Sequence, residues 1–105
     1  MSRPRRIGVV GGVDRCTALL ERTAAAHGCR IEHHCGRTSG PKSAELGALV
    51  SRCDLLVILT DTNSHGAVGL ARRLAVSAGT KHVLARRISP SRLEHLIASE
   101  MPAGR

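Results

Sequence analysis

Leu55-Leu56-Val57-Ile58-Leu59 is an unbroken run of five apolar residues held between Asp54 and Thr60. A strand points successive side chains to opposite faces, so a run with no polar position has both faces covered. Such a strand belongs in the middle of a parallel sheet that carries helices on both sides. The run is far short of the roughly 20 residues that a membrane span needs, and the amino terminus has no apolar stretch resembling a signal peptide. A cytoplasmic protein is the expectation.

The rest of the chain supplies the partners this strand requires. Arg6 to Val10 form a short apolar strand ending at Gly11-Gly12, and Asp14 then caps a helix carrying Cys16, Leu19, Leu20 and Thr23 at helical spacing. Gly28 stops that helix, and a second strand follows from Cys29 to His34, with Cys29, Ile31 and His33 on one face and Arg30, Glu32 and His34 on the other. Cys35 to Pro41 read as loop, and Leu46, Leu49, Val50 and Cys53 mark a second helix. Ser64 caps a third helix with Val68, Ala71, Leu74, Ala75 and Ala78 inward, which Gly79 terminates. Lys81 to Ala85 give a fourth strand, and Ser89-Pro90 open a last helix with Leu93, Leu96 and Ile97 inward.

Strands alternating with helices over short connections require right-handed crossovers. The expected fold is a small α/β Rossmann-like three-layer domain with a four-stranded parallel sheet in the order 2-1-3-4. One such domain fills residues 1–105, with a basic tail over 1–5 and a carboxyl-terminal tail over 99–105. Strands one and three become neighbours whose crossovers diverge, which opens a crevice at the carboxyl edge, where open α/β sheets bind ligands.

Composition narrows the choice of ligand. The formal charge is +8, and 14 of the 16 basic residues are Arg, the side chain that grips carboxylate or phosphate bidentately. A small anionic ligand fits this balance, as does an arginine-rich solvated surface. The absence of Phe, Tyr and Trp disfavours nucleic acid, whose single-strand readers stack bases on aromatic rings. The four cysteines, Cys16, Cys29, Cys35 and Cys53, show no zinc-ribbon or haem-attachment spacing, so reduced thiols are expected.

Four turns reach the carboxyl edge: Gly11 to Arg15, His34 to Arg37, Thr60 to His65, and Arg86 to Ser89. Gly11 and Gly12 lack the dinucleotide glycine pattern but allow a ligand close to the backbone, or else serve a tight turn; Arg15 opens the helix that follows. His34 at the strand tip or Cys35 in the loop can face the crevice; the alternative for each alone is an exposed imidazole or an inert buried thiol. Thr60-Asp61-Thr62-Asn63-Ser64-His65 places an acid, hydroxyls, an amide and an imidazole at a helix entrance, where anions are favoured. In the plainer alternative these groups satisfy loop and cap hydrogen bonds. Asp61 is close enough in sequence to accept from the His65 ring.

At these positions the chain resembles a bacterial family known as domain of unknown function 2325 (DUF2325). The resemblance rests on Ile7-Gly8-Val9-Val10-Gly11-Gly12 with Asp14, on His34-x-Gly36-Arg37, and on Asp54 through Thr60-Asp61-x-x-Ser64-His65. It implies a Rossmann-like domain and a haem-binding protein. Cys35 departs from the family, which has an acidic or small residue there more often.

The resulting expectation is a non-covalent haem-binding domain for sensing, trafficking or oxygen chemistry. His65, His34 and Cys35 are the candidate iron ligands, and Gly11, Gly12, Asp14, Arg15, Gly36, Arg37, Thr60, Asp61 and Ser64 line the pocket. One alternative is a zinc-like divalent-metal site of His34, Cys35, Asp61 and His65. Another is an anion- or nucleotide-binding regulatory module using Arg15, Arg37 and the Ser64 helix terminus. No nucleophile, base and orienting group can be assigned as a set from sequence, so binding is favoured over catalysis. Two sheet edges and a thin core favour a homodimer.

Overall fold

The computed structural model describes residues 4–11, 17–35, 41–61 and 63–101. Its elements alternate strictly: β1 (Arg5–Val10), α1 (Thr17–Ala26), β2 (Cys29–His34), α2 (Pro41–Arg52), β3 (Leu55–Leu59), α3 (His65–Ala78), β4 (His82–Ala85) and α4 (Pro90–Glu100). The strands pair in parallel in the order β2-β1-β3-β4. This is the α/β sandwich that the apolar run demanded, with that run fully buried as β3.

The core divides at the sheet. Ile7, Val9, Leu55 and Val57 point to one face, where Leu20 and Ala24 of α1 and Leu93, Leu96 and Ile97 of α4 meet them. Val10, Leu56 and Ile58 point to the other, under Leu46, Leu49 and Val50 of α2 and Ala71 and Ala75 of α3. Without aromatic rings, the layers gain contact by approaching closely. Gly8 shows how closely: a methyl group there would lie 3.1 Å from Leu56 and 3.2 Å from Leu49.

Four local readings need correction. Leu19 is 48 % exposed, because the buried stripe of α1 is the i, i+4 pair Leu20 and Ala24, and Leu19 stands about 100° off it. α2 begins at Pro41, whose fixed φ suits a first helical position, so the preceding loop is shorter than expected. Arg5 belongs to β1 rather than to a tail, and its Nη1 donates to the Met101 carbonyl at 2.8 Å. α4 runs through Ser99 to Glu100, beyond the expected start of the carboxyl-terminal tail, and the buried Met101 extends the core beneath it.

α3, which starts at the crevice, is capped at both ends. Ser64 accepts from the Ala67 amide at 3.1 Å and starts α3. Gly79, at φ 70°, ends it in the left-handed conformation, with its amide directed to the Ala75 and Val76 carbonyls. Among the described residues, no helix is long and apolar enough to cross a membrane.

Candidate functional site

The carboxyl ends of β1 and β3 sit side by side in the middle of the sheet, with Val10 paired to Ile58 on one side and to His34 on the other. Gly11 leaves β1 at φ 135°, a conformation open to glycine, and its amide donates to the His34 carbonyl at 2.8 Å. The β1 and β2 ends are thereby held together one residue beyond their last pair. Between β1 and β3 the junction is made by Asn63. Its Nδ2 donates to the carbonyls of Val10 at 2.9 Å and Leu59 at 2.7 Å, which uses both amide hydrogens.

His65 is the first residue of α3, directly after the Ser64 cap, and its side chain is exposed. The backbone beneath it is fixed by the cap and by the Val68 amide bonded to the Ser64 carbonyl at 3.0 Å. Cys35 follows β2 and is an exposed free thiol. His34 differs from both. Strand alternation puts it on the α2 and α3 face with Glu32, and there it is buried, at 6 % exposure. His33 projects to the α1 face at an exposed position, where the desolvation left by its neighbours lowers its pKa below 6.5, an effect opposed by the charge of Glu21.

Asp61 continues β3. Its amide donates to the Arg86 carbonyl at 3.2 Å, just as the Thr60 amide donates to the Ala85 carbonyl at 2.8 Å. Hydrogen bonding between β3 and β4 therefore runs two residues past the end of β3 and one past the end of β4. Its carboxylate accepts from Arg87 Nε at 3.2 Å on one oxygen and from Arg86 Nε at 3.4 Å on the other. The Arg87 guanidinium, followed by that of Arg86, holds the Asp61 carboxyl below its ordinary pKa of 3.8. Among the described residues, the partners of Asp61 are thus two guanidiniums and not the His65 ring.

Gly12, Asp14, Arg15, Gly36 and Arg37 lie outside the described residues, as do Cys16 and Thr62. Of the expected set, the structure brings Gly11, Thr60, Asp61, Ser64, His65, His34 and Cys35 to one edge of the sheet. Among the described residues, no group of three His, Cys, Asp or Glu side chains is placed to hold a metal ion. Sequence reasoning brought the turn Arg86 to Ser89 to the crevice without giving Arg86 or Arg87 a role, and it did not foresee the bridging role of Asn63. The signal for the arginines was their position directly after a strand; for Asn63 it was a polar amide one residue before a helix cap.

The edge as a whole combines an imidazole and a thiol open to solvent with a cationic flank. That donor set can ligate iron or zinc and can grip carboxylate or phosphate. No curated protein and no solved structure matches the chain. Residues 6–99, nearly the whole chain, match the family described as "Uncharacterized protein conserved in bacteria (DUF2325)", and the chain belongs to that family.

Proposed function

We propose that the carboxyl edge of the sheet binds haem non-covalently, with His65 as the axial ligand. The observation that carries this reading is an exposed imidazole on a backbone fixed by the Ser64 cap, at the edge where open α/β sheets take their ligands. The donor set fits the group. Cys35 offers a second exposed ligand, and Arg86 and Arg87 supply cations for two propionates. His34 is buried within the fold and is the least accessible of the three candidates. Bound haem would supply iron for gas binding or electron exchange; the protein's part is to hold and orient it.

Titration of purified protein with haem, followed in the Soret region, tests the reading. Saturable binding at one haem per chain is expected, and His65→Ala should remove or grossly alter the spectrum. Cys35→Ser should change it less. An absence of stoichiometric binding would sink the proposal, and loss of the spectrum in Cys35→Ser alone would move the ligand to that loop.

A second reading, an anion-binding regulatory module without iron, is favoured by the exposure of Arg86 and Arg87 at 84 % and 85 %. Thermal stabilisation by phosphorylated ligands, through mass action, separates it from the first. We further infer a homodimer in the cytoplasm. Edge strand β4 carries Leu84 at 43 % exposure, and the described cysteines are free thiols. A monomeric sedimentation profile with and without haem would overturn the dimer.

A further inference from the structure

We propose that Arg86 and Arg87 form an anion-binding site at the carboxyl ends of β3 and β4, and that Asp61 is its internal competitor. A ligand carboxylate or phosphate would displace Asp61 to bind there. The inference rests on the reading that ligands bind at this edge, and it names the groups that would hold their negative charge.

The site is built on backbone, not on a loose loop. The amides of Thr60 and Asp61 bond the carbonyls of Ala85 and Arg86, which ties Asp61 and Arg86 together just past the ends of β3 and β4. The two guanidiniums converge on one carboxylate, one on each oxygen. The place already accommodates a carboxylate, which shows the kind of group it accepts. Two cations face one anion, leaving a local excess of one positive charge in a chain of net charge +8.

The contacts to Asp61 leave most of the guanidinium donors available. Among the described residues both arginines use only Nε, at 3.2 and 3.4 Å, longer than the charge-assisted bonds typical of a well-seated pair. Their side chains are 84 % and 85 % exposed, so the terminal nitrogens face water. Arg52 and Glu32 provide the contrast: Nε at 2.8 Å and Nη2 at 2.6 Å both close on one carboxylate oxygen, and the pair fastens α2 to β2. Exposed pairs of the Asp61 kind contribute little to stability. A free carboxylate or phosphate can instead approach the terminal nitrogens and take parallel hydrogen bonds, the geometry that favours arginine at anion sites.

The direction of a mutational effect follows. Were Asp61 there to orient His65, neutralising it would weaken ligand binding. As a competitor for the arginines, it should do the opposite. Titration of the full chain with inorganic pyrophosphate at fixed ionic strength, read by arginine Nε and backbone amide shifts in nuclear magnetic resonance, decides between them. Asp61→Asn should bind pyrophosphate more tightly than wild type, on the order of tenfold. Arg86→Gln combined with Arg87→Gln should lose the saturable shifts at residues 60, 61, 86 and 87. Equal or weaker binding by Asp61→Asn would overturn the proposal, as would wild-type binding by the double variant. Since no haem is present, a failure of haem titration leaves this result intact, and a failure here leaves the haem result intact.

Discussion

The side-chain amide of Asn63 donates to the carbonyl oxygen of Val10 at 2.9 Å, closing the gap between the third strand and the first at the crevice. Its other hydrogen goes to Leu59, so removal leaves two carbonyls seeking partners. Asn63→Ala should cost about 1–3 kcal/mol of stability. Asn63→Asp should cost more, because a carboxylate cannot donate and sets a negative charge against two carbonyl oxygens. Denaturant midpoints of the two variants check both the size and the order.

Gly8 lies under the leucines of two layers, and an added methyl would press on Leu56 and Leu49, both in the packed core. Gly8→Ala should therefore destabilise by about 1–3 kcal/mol through overpacking. A second change that makes room, Leu49→Val, should recover part of that loss in a double-mutant cycle. Simple addition of the two costs would show that the methyl is accommodated elsewhere.

Acidification should weaken the fold in two steps. His33 has a folded pKa below its ordinary 6.5, so under that pH the unfolded chain takes up the proton more readily and stability falls. Above 6.5 the group is neutral in both states and contributes no slope. Asp61 acts lower down: its folded pKa is below 3.8, so its contribution is present above that value and disappears as pH drops through the folded one. Because His33 and Asp61 are both exposed, both steps should be small, and the second should shrink in salt. Unfolding midpoints between pH 5 and 8 for wild type and His33→Gln test the first step, which the variant should lack.

Thiol chemistry should separate the cysteines. Cys29 and Cys53 are buried, and desolvation pushes their thiol pKa values up, whereas Cys35 is exposed. Brief alkylation of native protein at pH 8, followed by residue-resolved mass spectrometry, should label Cys35 and spare Cys29 and Cys53 until denaturant is added. Early labelling of either buried residue would place that part of the core open to solvent.

The fold was legible because its determinants are local or periodic. An all-apolar strand, glycine stops at Gly28 and Gly79, and serine caps at Ser64 and Ser89 each speak for themselves within a few residues. The site was legible as a set of turns but not as a set of contacts. Asp61 was read with His65, its neighbour in the same loop, whereas its carboxylate meets Arg86 and Arg87 across 25 and 26 positions of sequence. That meeting depends on the register of β3 against β4, which periodicity does not encode. His34 misled in a similar way: alternation predicted its face, but only the placement of α2 and α3 decided that this face is covered at the strand tip.

Arg5 binding the Met101 carbonyl draws the start of the first strand to the end of the last helix. Entry and exit of the fold therefore share one pole, and the edge bearing His65 and Cys35 lies at the other, a strand length away, about 20 Å for six residues. A unit arranged this way can be grafted into a larger assembly through a single stem without obstructing its opposite end, and strain transmitted through that stem would reach β1 before it reached the ligand-facing turns.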